Sequence, residues 1–468
     1  MSEATGEVPG GASAPSYEEL AEALADRDRV IAELRAEVAE LRARLEADSS
    51  NSSLPPSAEG LGKKPAQPRR SGGRRGKRPG SPGSHLAMVA DPDEVIEHAP
   101  QVCGGCGGGL EAAQVVGAAR RQVFDLPPVR LAVVEHRVQR RRCSGCKTVT
   151  AGVFPAAARS PACYGPQVRA LIAYLAVHQH LPVQRLAGLL ADLLGAPVAT
   201  GTVAAVLAET AERVAPAVEA IRQQLAAAPV AHFDETGARI DGRLHWLHSA
   251  STDQLTLYHA DSRRGQAAMD AAGVLPGFAG VAVHDGWAPY RRYTEVEHAL
   301  CNAHHLRELT AAAEAGHDWA GHLAGLLRQA HRWVEAAKAA GASTLDPALL
   351  AAIHARYDGH LAQAAAANPP RPGPRSKPAA LADRLDRHRD DVLRFTTDFR
   401  VPFDNNQAER DIRMVKLQQK ISGCWRTLPG TQAFCAIRSY LSTARKHGQH
   451  TLDVLRQALT GTPWLPAT

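Results

Sequence analysis

Three acids stand where carboxylates can do chemistry together. "PVAHFDET" is an apolar run ending in Asp234, "GVAVHDGW" ends a second such run at Asp285, and "DNNQAER" opens a basic helix carrying Glu409. Either aspartate alone is an ordinary turn or cap residue. Gathered around one point, three carboxylates repel one another strongly unless cations neutralise them. Hard oxygen ligands suit Mg2+ or Mn2+. Two such ions about 3.5–4 Å apart can clamp the attacking and leaving oxygens of a phosphodiester displacement, activating water or a 3′-hydroxyl without a protein base. Arg413, Lys416 and Lys420 share the helical face of Glu409. Cations there could hold a DNA backbone beside the metals. The plainer account of this stretch is a solvated helix with one Glu–Arg pair. Asp404 is expected to cap the helix, with Gln407 completing a capping box.

A second constellation is built from sulfur. "CGGCGGGL" places Cys103 and Cys106 on one knuckle, and "CSGC" places Cys143 and Cys146 on another. Four thiolates are what a closed tetrahedral zinc site requires, and the glycines allow the tight turns that aim two sulfurs at one ion. A redox pair would not explain two knuckles. Between them "RRQVFDLPPVRLAVVEHRVQRRRC" alternates like a hairpin of strands, so a zinc ribbon with one structural Zn2+ is expected over residues 96–150. The opening "MSEATGEVPGGASAP" is acidic and lacks an apolar core, and no run of about eighteen apolar residues exists to span a bilayer. A cytoplasmic, nucleoid-associated protein is therefore expected. Its eight cysteines then read as metal ligands where they pair closely, not as a disulfide framework.

The elements that must position these groups follow from pattern. A chain of 468 residues is too long for one core. Over 17–48 the apolar residues keep a heptad, with Leu24, Ile31, Val38 and Leu45 at one core position. Leu20, Leu34 and Leu41 hold the other, and Arg27 breaks it. A short coiled coil, hence a homo-oligomer, is the expectation; a single helix packed on its own protein is the alternative. Residues 49–95 read as a flexible linker. Its stretch "KKPAQPRRSGGRRGKR" holds eight cations and no acid, among them Arg69, Arg70, Arg74 and Arg75. Such a composition cannot pack and suits a polyanion. Residues 160–228 form short helices joined by tight turns, compatible with a helix-turn-helix DNA-binding domain or with any small bundle.

From Val230 the order is strand, strand, strand, helix, strand, with Asp241-Gly242 as a hairpin signal. This is the opening of an RNase H-like fold, in which the first and fourth strands lie side by side and bring Asp234 to Asp285. The expected class is multidomain α+β. A catalytic core of mixed sheet and flanking helices spans 229–425, with a helical insertion at 305–395. A helical tail follows at 426–468.

At these residues the chain resembles the IS66 family of bacterial transposases, over nearly its whole length. The resemblance is carried by "NSSLPPS", the paired knuckles, "YGP" at Tyr164, "DET" at Asp234 and "HDGW" at Asp285. It continues in "CNAHHLREL" at Cys301, "DNNQAER" at Asp404 and "SYLSTARKHG" at Ser439. It implies a DDE transposase whose acidic triad falls on Asp234, Asp285 and Glu409. Hydrolytic nicking at the element ends would free a 3′-hydroxyl that attacks target DNA. The resemblance also matches Cys301 and His304 to a Cys-x2-His motif, read here as structural support. The implied partners are the element's terminal repeats, target DNA and accessory proteins, with no membrane. Two other readings compete: a zinc-ribbon, helix-turn-helix DNA-binding protein whose nuclease-like domain is inactive, and a resolvase-type nuclease without strand transfer.

Overall fold

Helices and strands fall in successive runs along a computed structural model that describes residues 16–45, 86–127, 129–158, 160–369 and 374–467. The first helix, α1 (Tyr17–Leu45), leaves Leu24, Ile31, Leu34 and Val38 exposed. The basic stretch with Arg69, Arg70, Arg74 and Arg75 lies outside the described residues. Among the described residues of the cysteine-rich region β1 (Arg140–Arg142) and β2 (Val149–Ala151) form the one pair of strands, flanking the second knuckle, and an isolated bridge joins Val102 to Gly109 around the first. The longer hairpin expected between the knuckles is not formed. Val123 and Val133 are almost fully exposed and Val134 largely so, and a two-stranded ribbon with no apolar face to bury is marginal at best.

Three helices follow: α2 (Pro166–Ala173), which runs into a π turn at Tyr174–His178, α3 (Val183–Leu194) and α4 (Thr200–Ala226). The sheet then begins with β3 (Val230–Ile240), β4 (Arg243–Ser251) and β5 (Thr256–Asp261). Asp241 and Gly242 both take positive φ, +50° and +72°, as a two-residue turn joining twisted antiparallel strands demands. After α5 (Gln266–Ala272) come β6 (Val281–His284) and β7 (Glu297–Leu300). The spatial order is β5-β4-β3-β6-β7, with β6 parallel to both β3 and β7. All four residues of β6 are buried, as a central strand covered on both faces requires.

After β7 the described chain is helical from Asn302 to Thr397, the span that holds the expected insertion over 305–395. The helices α6 (Asn302–Glu314), α7 (Asp318–Ala339), α8 (Pro347–Ala367), α9 (Lys377–Arg387) and α10 (Arg389–Thr397) enclose their own core. Leu323, Leu327, Tyr357, Leu385 and Phe395 meet Val281, Val283 and Leu300 of the sheet there. Each such buried side chain contributes about 1.5–3 kcal/mol relative to exposure.

Then α11 (Asn406–Ser422) returns to β3 and β4, followed by α12 (Leu428–Lys446) and α13 (Thr451–Thr460). The helices of 160–228 and the tail after 426 do not stand apart as separate units. Leu186, Ile221, Phe233, Val415, Tyr440 and Leu455 belong to one core. The apolar stripes of α2 and α4 are covered by α12, α13 and the sheet, while α3 packs on α4, so none of these pieces has a private interior. On edge strand β5 the Thr256 and Tyr258 N–H groups donate to Thr443 Oγ1 (3.0 Å) and Ser439 Oγ (2.8 Å) of α12.

Candidate active site

The two aspartates meet because of register. His232 pairs with Val283 across the parallel β3–β6 ladder, so two residues further on Asp234 comes level with Asp285 at the strand ends. Strand alternation sends Asp234 to the side away from Phe233. Asp234 Oδ1 accepts the Glu235 N–H (2.9 Å), and Asp285 Oδ1 accepts the Trp287 N–H (2.8 Å). Burial pushes the Asp234 carboxyl well above the usual carboxylate range, and the negative charges of Glu235, Asp285 and Glu409 push it further. Asp285 and Glu409 are thus both within electrostatic reach of Asp234, though ligating oxygens of the three do not all lie within 4.8 Å of one another.

Glu409 sits in the first turn of α11, and Asn405 fixes where that turn starts. Asn405 is buried; its Nδ2 donates to Phe233 O (2.8 Å) and its Oδ1 accepts from His232 Nδ1 (2.8 Å). Its backbone N–H donates to Cys301 Sγ (3.1 Å). One side chain therefore clamps the helix to the strand that carries Asp234. The expected capping box is not formed: Asp404 Oδ1 accepts the Asn406 N–H (3.0 Å), but Gln407 turns forward to Asp411 (2.9 Å). Glu409 Oε1 faces His304 Nε2 at 3.9 Å and an Arg307 nitrogen at 3.6 Å. Cys301 caps α6 and His304 lies in its first turn; burial pushes the Cys301 thiol up to about 12.

Behind the aspartates lies a network that the sequence reading missed. Glu235 points opposite to Asp234 and is almost fully buried. It accepts from Arg264 (2.7 Å) and from the Tyr290 hydroxyl (2.6 Å). The Arg264 guanidinium lies over the rings of Trp246 and Trp287, at 4.6 and 3.9 Å. Tyr290 stacks on His284, with centroids 4.4 Å apart. His284 Nδ1 accepts the Gly286 N–H (3.0 Å), which leaves Nε2–H to donate to His298 Nδ1 (3.0 Å). The residue after Asp234 and the residue before Asp285 are so joined through one ring. A buried glutamate directly after the first aspartate was the available signal.

The cations on Glu409's helix divide. Arg413 and Lys420 are exposed. Lys416 is half-buried and donates to Gly237 O (2.8 Å), so its ammonium ties α11 to β3 with one of its three donors. The recognition-helix expectation finds the geometry of two helices and a short turn between α3 and α4. The first eleven residues of α4, Thr200–Thr210, carry no Lys or Arg to meet DNA.

In the cysteine region both knuckles take the same turn. Cys103 N–H donates to Gly108 O (2.8 Å) and Cys143 N–H to Thr148 O (2.9 Å). Gly107 and Lys147 hold matching positive φ of +76° and +62°. Backbone N–H groups at Cys106 and Gly105 draw the Cys103 thiol down, and hydrogen bonding at Thr148 draws the Cys146 thiol to about 7. Thiolates are the metal ligands, and two C-x2-C pairs suit zinc. Among the described residues, however, the two pairs are not gathered into one four-sulfur cluster.

Comparison with known families agrees with these features. Residues 161–433, more than half of the chain, match the family described as transposase IS66. Residues 100–147 match the zinc-finger binding domain of transposase IS66. No curated protein matches the chain.

Proposed function

Since this chain belongs to the IS66 family of transposases, we propose that Asp234, Asp285 and Glu409 are its catalytic acids. In this reading they hold Mg2+ or Mn2+, as two ions, for cleavage at the element ends and strand transfer to target DNA. The observation that carries the proposal is the charge crowding at Asp234, whose buried carboxyl is opposed by Asp285 and Glu409. A divalent cation bound there would relieve the repulsion and draw the acids closer, since as they stand their ligating atoms do not all lie within 4.8 Å of one another. When bound, the metal would supply Lewis acidity at the phosphodiester. The strand order supports assigning the sheet to the RNase H-like class.

The remaining roles fall to the protein's own groups. Asn405 and Lys416 set the place of Glu409 relative to β3. Arg413 and Lys420, exposed on the helix that carries Glu409, would hold backbone phosphates. The transposase family implies DNA binding, and the linker with Arg69, Arg70, Arg74 and Arg75 adds sequence-independent affinity. One structural Zn2+ on Cys103, Cys106, Cys143 and Cys146 would bring the two knuckles together. Exposed Leu24, Ile31, Leu34 and Val38 of α1 support self-association through a coiled coil.

The test uses labelled element-end DNA with Mg2+. Asp234→Asn, Asp285→Asn and Glu409→Gln, made singly, should each cut slower by roughly a thousandfold, the equivalent of several kcal/mol of barrier. Mobility-shift affinity for the same DNA should hold. Variants that cut at the wild-type rate would remove these residues from the chemistry. Joining of the cut end to a target plasmid distinguishes a transposase from a nuclease that only cleaves.

A further inference from the structure

We propose that Cys301, His304 and Glu409 form a second, thiophilic metal site that takes Zn2+ rather than Mg2+ and, when filled, withdraws Glu409 from the other two acids. The withdrawal rests on the role given to Glu409 above; the site itself does not. One ligating atom from each residue lies within 4.8 Å of the other two, and among the described residues no other such trio of His, Cys, Asp or Glu exists. The three come from two helix starts locked to each other. Asn302 N–H donates to Phe403 O (3.1 Å), and Asn405 N–H to Cys301 Sγ (3.1 Å).

The donors are also short of partners. Glu409 Oε1 is buried with no hydrogen bond, and so is His304 Nδ1 on the ring whose Nε2 faces it; the 3.9 and 3.6 Å approaches of His304 and Arg307 to Oε1 are too long to count. Buried polar atoms left in this state ask for an explanation, and an ion is one. Sulfur, nitrogen and oxygen together make a borderline-soft set of three, the number that open zinc sites use. Mg2+ takes oxygen alone. On coordination the Cys301 thiol gives its proton to solvent and its sulfur to the ion. Arg307 competes for Glu409, so the site should bind more weakly than the four-cysteine site. One carboxylate cannot fully serve two separate ions, so zinc should oppose Mg2+.

Cobalt reports thiolate ligation directly. In the full chain with Cys103→Ser, Cys106→Ser, Cys143→Ser and Cys146→Ser combined, Co2+ should still produce a sulfur-to-metal absorption band, at one equivalent. Adding Cys301→Ser should abolish the band. Adding His304→Ala instead should weaken Co2+ affinity about tenfold or more, with circular dichroism confirming the fold in each case. Absence of the band in the four-serine chain overturns the site. Micromolar Zn2+ should raise the Mg2+ needed for DNA cleavage by wild type about tenfold, and this shift should vanish with Cys301→Ser. A band without any effect of zinc on cleavage refutes the competition and keeps the site. A band in a chain that never cleaves DNA refutes the catalytic reading alone.

Discussion

Asp234 is stabilised as an acid and strained as an anion. Its pKa is raised by burial and by neighbouring carboxylates, so the stability it contributes is complete below the ordinary aspartate range and is lost as pH rises through the raised value. In EDTA, Asp234→Asn should therefore be more stable than wild type, and the gap should widen as pH rises above the ordinary aspartate range in urea titrations. Mg2+ should raise the wild-type melting temperature and leave that of Asp234→Asn nearly unmoved. A second expectation concerns Asn405. Asn405→Ala would strand His232 Nδ1 and Phe233 O in the interior and should cost about 3 kcal/mol in chemical denaturation. The sequence named the three acids because residue type and strand order point to them. Asn405 stayed hidden, since its role exists only when two distant segments meet.

At the level of elements, the approach of β6 to the end of α4 depends on a missing side chain. A Cβ on Gly280 would lie 2.4 Å from Ala228 O and 2.7 Å from Pro229 O, and backbone cannot give way as a flexible side chain can. Gly280→Ala should destabilise the fold by about 3 kcal/mol or more, read from the urea midpoint. The β3–β4 hairpin was legible because Asp-Gly specifies its turn. The helical insertion was legible because its periodicity is strong. Where α2–α4 would pack was not, because an amphipathic stripe announces that it needs a partner without naming one. The strands expected between the knuckles failed for a related reason: alternation in sequence does not supply a surface to bury against.

The whole molecule carries unpartnered apolar residues on α1, and no described helix is long and apolar enough to cross a membrane. Replacing Leu24 and Ile31 with Asp should lower the mass seen by light scattering to that of one chain, with circular dichroism of the sheet unchanged. At the other end, the hydroxyls of Ser439 and Thr443 occupy backbone donors of the border strand β5. Those hydroxyls are made last. A chain cut short by a premature stop before Leu428 would present a naked β ribbon edge, open to stitching by any other extended polypeptide. Such fragments should precipitate or be degraded, so a frameshifted copy of the gene would leave no half-length chain to interfere with an intact one.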